Sequence, residues 1–428
     1  MVVSDYREEY GHLKGKRLLI LGGMRMACDI VTRAQAMGVY VVVADLTKDS
    51  PAKALADKAI DANVCDVDTI VRICREEKID GITTGFVDIL LQPCHDACQR
   101  LGLPYYANNL LIQMSTDKNA YKSNCAKYGI PVPKDYENVD ISPEGLKKID
   151  FPVFIKPADN SGSRGAFVCR SAEEFQEYYP KALAFSPTGR VIIEQYLTGQ
   201  DIILDYLIKD GEAHMLSIFD RKMVPGRRVA VNHANLLLAP SESTDIFLKE
   251  IDPKIKKMCS ELGFHNGLIF FQGYSNNGTI TLFEMGCRLG GTFSHVDEYF
   301  LNVSPIDALI HYALTGKMAD FADYAKITPR FNGAGCVLNL LLDESTAEIV
   351  KVEGVEEIKA MKEVVNSIQF YQEGAKIPVT NATDKPFMIL YMAADSMQQL
   401  REAVERVYAT VRVCDGNGQS LLMPVYHP

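Results

Sequence analysis

Two near-continuous apolar runs, RLLILGG from Arg17 and VYVVVAD from Val39, flank a helical stretch through Ala34 to Met37. A strand with one wet face alternates apolar and polar residues. A strand that is apolar at successive positions must be covered on both sides, as in a parallel sheet wrapped by helices. A second helical stretch near Ala52 to Lys58 and the run DGITTG from Asp80 continue the alternation. Residues 1–114 are therefore expected to form a Rossmann-like domain, with GLPYYANN as its last short strand and exit loop.

A chain of 428 residues exceeds what one core organises, so further domains are expected. Between Ser115 and Pro133 a polar helix, TDKNAYKSNCAKYGIPVP, leads into the strands FPVFIKP, GAFVCR, RVIIEQYL and DIILDYLI. Their alternation reads as antiparallel strands with one wet face. FHNGLIFFQGYS and TITLFEMG, joined at Asn276-Asn277-Gly278, form a hairpin, since Asn-Gly between alternating runs is a strong turn signal. After a helix around Asp307 to Leu314, the region from Arg330 holds short strands, the amphipathic helix SMQQLREAVERVYATV and a last strand at LLMPVY. The expected fold class is α/β, with boundaries near 114 and 329 and a small α+β domain over 330–428.

Composition excludes several functions. The chain is 47% apolar and 23% charged, which fits a globular protein and not a disordered one. A net charge of −10 argues against nucleic acid and anionic lipid as partners, because both demand clustered Lys and Arg. The polar N-terminus and the lack of 18 uninterrupted apolar residues argue against a signal peptide and a membrane span, so a cytoplasmic protein is expected. Eleven cysteines without C-x-x-C spacing read as reduced thiols. Cys94, His95 and Cys98 resemble half a zinc site, but no second ligand pair follows.

Gly22-Gly23 after the first run, with Asp45 closing the second, invites a dinucleotide reading. Gly-x-Gly-x-x-Gly would need glycine at Met24 and Ala27, which disfavours a nicotinamide cofactor and a dehydrogenase. A small anionic ligand and a plain tight turn both remain open there. FPVFIKPADNSGSRGAFVC is more specific: Lys156 ends a strand, and Ser161, Gly162, Ser163, Arg164 and Gly165 offer small-residue backbone N–H groups to phosphate oxygens. An ordinary Gly-Ser hairpin loop is the bland alternative. In RVIIEQYLTGQDIILDYL, Glu194 and Leu197 stand at a strand end that can hold a purine, and Asp201 can accept hydrogen bonds from ribose hydroxyls. The Asn277-Gly278 turn should set Gln272 and Glu284 on adjacent strands facing one side. That oxygen pair, followed by Arg288, Gly290 and Gly291, suits a magnesium ion bound to phosphates. Arg221, Arg227 and Arg228 concentrate base in an acidic chain and are candidate anchors for an anionic substrate, with a solvated loop as the alternative. His233, His295 and Asp297 are pocket candidates by position alone.

These elements, in this order from Arg17 to about Thr315, resemble the ATP-grasp superfamily, most of all stand-alone members similar to the carbamoyl-phosphate synthetase large chain and phosphoribosylglycinamide synthetase. The resemblance implies a Rossmann-like pre-ATP-grasp domain over 1–114, an ATP-grasp domain over 115–329 with a mobile lid at about 134–196, and a small C-terminal domain. It implies ATP and Mg2+ as cofactors and a ligase that converts a carboxylate to an acyl phosphate before coupling it to an amine. Small-molecule carboxylates and amines are then the partners, and a homodimer is compatible. By resemblance Lys118 and Lys156 hold the α and β phosphates, and Ser161 to Gly165 close over the γ phosphate. Glu194, Gln195 and Leu197 form the adenine hinge, and Asp201 replaces the usual ribose-binding glutamate. Gln272 and Glu284 hold magnesium, and Arg288 lies near the transferred phosphoryl group. Two departures stand out: Gln272 replaces a usual Glu, and Gly286 stands where the family has an asparagine metal ligand. The second leaves a catalytically weakened ATP-binding module as the alternative function.

Overall fold

Leu18, Leu19, Ile20 and Leu21 are all fully buried, as a doubly covered strand requires. The computed structural model describes residues 10–136, 139–157, 165–225, 232–290, 293–319, 324–343, 348–377 and 386–423, except the side chains at 225, 232, 233 and 325. Strand Arg17–Leu21 is central in a parallel sheet ordered Lys58–Asp61, Tyr40–Asp45, Arg17–Leu21, Gly81–Thr83. Side chains alternate between its faces. Leu18, Ile20, Val41 and Val43 pack on helices Ala27–Ala36 and Pro305–Thr315, while Leu19, Leu21, Val42 and Ala44 pack on Val67–Glu77 and Leu91–Leu101. Helix Pro305–Thr315 thus returns from far along the chain to cover the first sheet.

Two local expectations are corrected. The stretch near Ala52 is only the 3-10 turn Pro51–Ala54, followed by the strand Lys58–Asp61, and the covering helix begins at Val67. Residues 103–108 of GLPYYANN form a loop and not a strand. The expected polar helix is Lys118–Lys127, and a further helix, Asn109–Thr116, precedes it across Asp117. The Asp117 carboxylate accepts the backbone N–H groups of Asn119 and Ala120 at 2.8 and 3.2 Å, capping the second helix.

The middle of the chain builds an antiparallel sheet of eight strands. Their order is Thr279–Gly286, Gly267–Asn276, Gln200–Lys209, Glu212–Pro225, Asn232–Ala239, Ala334–Leu341, Pro386–Ala394 and Val364–Gln369. The sheet therefore continues past residue 330, where its outer strands pack on helix Met397–Thr410. The hairpin turn has positive φ at both Asn277 (48°) and Gly278 (79°), the geometry that matches strand twist. At the far end LLMPVY supplies only an isolated bridge, Leu342 to Leu422, and residues from 424 lie outside the described ones.

A smaller antiparallel sheet, Phe167–Cys169, Val153–Pro157 and Val191–Gln195, packs with helix Ala172–Ala184 around its own core of Ile155, Phe175 and Ile193. Cys74, Cys94, Cys98, Cys125, Cys169, Cys259, Cys287 and Cys336 are buried thiols spread over the separate cores. Among the described residues no helix is long and apolar enough to cross a membrane.

Candidate functional site

Glu194, 7% exposed, sits near the end of strand Val191–Gln195 and gathers lysines from two other elements. The Lys156 ammonium, from the adjacent strand, donates to one of its carboxylate oxygens. Lys122 Nζ lies 3.1 Å from the other oxygen and 3.0 Å from Asp135. Burial alone would raise the Glu194 pKa, but Lys156 and then Lys122 outweigh it and hold the group below its usual range. Lys156 is itself pushed below the usual lysine range, mainly by burial, with Lys118 adding to the depression against the pull of Glu194. The three lysines carry one more charge than Glu194 and Asp135 supply, and a phosphate oxygen would offset it. Lys122 was not a sequence candidate. Its signal is the spacing, one helical turn beyond Lys118 on the same helix face.

A polar row crosses one face of the large sheet. Gln272 stands directly opposite Glu284, as the hairpin predicts, and Asp201 stands opposite both Arg221 and Tyr274. Arg221 Nη1 donates to Gln272 Oε1 at 3.0 Å and lies 3.5 Å from Asp201 Oδ1. Burial raises the Asp201 pKa to about 6, opposed by Arg221 and by a hydrogen bond from Tyr274. Glu284 is exposed. The amide oxygen of Gln272 keeps a second lone pair beyond the Arg221 bond. Directly opposed side chains approach closely enough to share one cation, so this pair fits a magnesium that keeps most of its waters.

Arg288 follows the hairpin. Its Nε and Nη2 bind both carboxylate oxygens of Asp88 at 2.6 and 2.7 Å, Nη1 donates to the Leu289 carbonyl at 2.8 Å, and the guanidinium lies 4.9 Å from the Phe270 ring centre. Asp88 opens the turn after strand Gly81–Thr83 in the first sheet, and sequence reasoning had no local signal for it. Gly286 faces Phe270 across the hairpin, and a Cβ there would come within 2.2 Å of the ring.

The other sequence candidates divide. Gln195 is exposed and its Oε1 accepts the Lys134 backbone N–H at 3.3 Å, while Leu197 is half-buried. Gly165 adopts φ 74° against Phe185, and Gly290 packs against Phe293 and Phe270. Ser161, Gly162, Ser163, Arg164, Arg227, Arg228, Gly291 and the His233 side chain lie outside the described residues. Gly23 donates its N–H to Asp45 at 2.6 Å, so this turn is closed from within. Asp297 is fully buried beside Asp205, and burial raises both carboxyls. His295 Nε2 lies 2.9 Å from Asp29, and its ring packs on Tyr391. His295 ties its helix to its neighbours. Cys94 and Cys98 are core residues of the first sheet's packing.

Residues 117–295 match the family described as carbamoyl-phosphate synthase L chain, ATP binding domain. The chain is similar to the carbamoyl phosphate synthase large chain of Pyrococcus furiosus, 27% identical over 35% of this chain and 15% of that protein. It is also similar to the formate-dependent phosphoribosylglycinamide formyltransferase of Ignicoccus hospitalis, 26% identical over 42% of this chain and 46% of that one. It thus spans less than half the length of both relatives. Among solved structures, phosphoribosylglycinamide synthetase from Anaerococcus prevotii shares the fold with a TM-score of 0.75, covering 93% of this chain and 99% of that one at 15% identity. The lysine cluster and the oxygen pair of the hairpin both fall within residues 117–295, the stretch that resembles the ATP binding domain of the carbamoyl-phosphate synthase large chain, and the chain shares its fold with phosphoribosylglycinamide synthetase.

Proposed function

We propose that the protein is an ATP-dependent ligase that phosphorylates a carboxylate to an acyl phosphate and couples it to an amine, releasing ADP and phosphate. The observation that carries this reading is the opposition of exposed Glu284 to Gln272 on the sheet face that also bears Asp201 and Arg221. Lys118 and Lys156 hold the α and β phosphates, and Glu194, braced by Lys122, sets the direction of the Lys156 ammonium. Glu194, Gln195 and Leu197 border the adenine, and Asp201 accepts from the ribose hydroxyls. Gln272 and Glu284 would hold a magnesium ion, which would supply positive charge to the phosphates. Arg288 orients the carboxylate for in-line attack and then faces the charge that develops on the phosphoryl oxygens, so catalysis is mostly positioning and charge neutralisation.

The test is ADP release against panels of carboxylates and amines, with Glu284→Gln as control. This change keeps the side chain's size and removes its charge. Activity should fall by about a hundredfold or more with an unchanged melting temperature, the scale expected when a metal's charge stabilisation is lost. Parental activity in the variant across a magnesium titration would sink the reading. The Phe270 ring against Gly286 favours a second reading, an ATP-binding module with weakened turnover. It is distinguished by nucleotide binding without ADP release in any mixture.

A further inference from the structure

The Asp88–Arg288 pair joins two parts of the chain that are otherwise separate in sequence. Asp88 stands beyond the carboxyl end of strand Gly81–Thr83, the edge at which open parallel sheets receive ligands. Its turn is braced from behind, because a Cβ on Gly22, at the end of the central strand, would lie 3.2 Å from Val87 and 3.4 Å from Leu90. Arg288 is equally fixed, with Nη1 on the Leu289 carbonyl and its plane over Phe270. Asp88 occupies the edge formed by Nε and Nη2 in a two-pronged contact. The Asp88 side chain is 48% exposed and that of Arg288 18% exposed, so solvent reaches the pair from the Asp88 side.

Charge decides what can enter. A plain carboxylate displacing Asp88 from Arg288 would leave two carboxylates against one guanidinium. A molecule with its own ammonium beside the carboxylate leaves no such excess. Its carboxylate takes the fork geometry vacated by Asp88, and its ammonium pairs with the displaced Asp88. Ile89, the next residue after Asp88, is apolar and 72% exposed.

We propose that Asp88 and Arg288 together form the head-group site for an α-amino acid, whose carboxylate is the one activated. The proposal rests on the ligase reading for that last step and on the pair's geometry for binding. Arg288 holds the carboxylate toward the phosphates, and Asp88 holds the α-ammonium and selects against carboxylates that lack it.

The test titrates each of the twenty common L-amino acids into protein loaded with magnesium and a non-hydrolysable ATP analogue. Each one that binds is compared with the same molecule lacking its amino group, for example L-leucine with 4-methylpentanoate. The parent should bind the amino acid at least about tenfold tighter, the scale of one charge-assisted hydrogen bond. Asp88→Asn should erase that preference, chiefly by weakening the amino acid, while Asp88→Glu retains part of it and both variants keep the parental melting temperature. Equal affinity for the two members of each pair in the parent, or an unaltered preference in Asp88→Asn, overturns the site. So does the absence of binding by any amino acid. Amino acid binding that depends on Asp88 but is never followed by ADP release with true ATP and an amine panel supports the site and overturns the ligase reading alone.

Discussion

Asp201 is 6% exposed, and burial raises its pKa to about 6 although Arg221 and Tyr274 both favour its charge. Between its unfolded value near 4 and 6 the folded chain holds more protons than the unfolded one. Its contribution to stability is therefore present below about pH 4 and lost as pH rises through 6. Nucleotide binding runs the other way. A carboxylate that accepts from ribose hydroxyls must be ionised, so ATP affinity should fall below pH 6 by up to about tenfold per pH unit. Asp201→Asn should flatten that profile. Calorimetry between pH 5 and 8 checks it, and an equally steep decline in the variant would remove Asp201 from the site. At this scale the sequence exposed side chains whose chemistry is local, such as Lys156 at a strand end and the hairpin oxygens of Gln272 and Glu284. It hid those defined by a distant partner. Lys122 acquires its meaning only from Glu194, 72 positions away, and Asp88 only from Arg288, 200 positions away.

The hairpin shows why the missing asparagine is a packing decision. Phe270 and Gly286 are paired across the two strands, and the Phe270 ring fills the volume that a side chain at 286 would need. Gly286→Asn should therefore destabilise the protein by about 1–3 kcal/mol through overpacking. Adding Phe270→Ala in the same chain should return part of that loss. Urea unfolding of the single and double variants checks this, and a single variant as stable as the parent would show that the ring yields freely. Elements with a strong internal pattern were legible, among them the first two strands and the Asn277-Gly278 turn. The strand Lys58–Asp61 was not, because it lies at the sheet's edge with one neighbour and three of its four residues exposed, so nothing demands an apolar run. GLPYYANN is apolar enough for a strand but forms a loop, and its tyrosines are half-buried by side-chain packing, with Tyr106 Oη donating to the Cys287 carbonyl at 2.8 Å.

Across the whole molecule, Arg33 acts as a rivet. From helix Ala27–Ala36 its guanidinium reaches Asp29 at 3.1 Å, Glu298 at 2.6 Å, Asp307 at 3.2 Å and the Ser304 hydroxyl at 3.1 Å, joining the first part of the chain to the helices that follow the hairpin. His295, on one of those helices, continues the network to Asn366 in the outermost strand of the large sheet. Burial lifts Asp307 to about 6 even with Arg33 beside it. Replacing the arginine by methionine keeps much of the stem and strands several acids. Arg33→Met should cost about 3–5 kcal/mol at pH 8, the range for a broken buried ion pair. The loss should be smaller at pH 5.5, where the stranded acids can take up protons. Equilibrium unfolding at the two pH values checks both the size and the sign. A loss under about 1 kcal/mol would mean that this cluster is solvated, as surface pairs are.

The thiols scattered through the separate cores have a practical consequence. Burial pushes Cys74, Cys125, Cys169 and Cys287 up to about 12, so each is inert to alkylating reagents while its surroundings stay closed. Cys94 belongs to the first sheet, Cys169 to the small three-stranded one, Cys259 to the core on the face of the large sheet opposite Asp201 and Gln272, and Cys336 to the core of its outer strands. Local openings differ in free energy across a fold, and a thiol reacts only during the opening that exposes it. The order in which these four cysteines gain mass in a timed alkylation is thus a chronology of the molecule's breathing, written by the unaltered chain without any introduced probe.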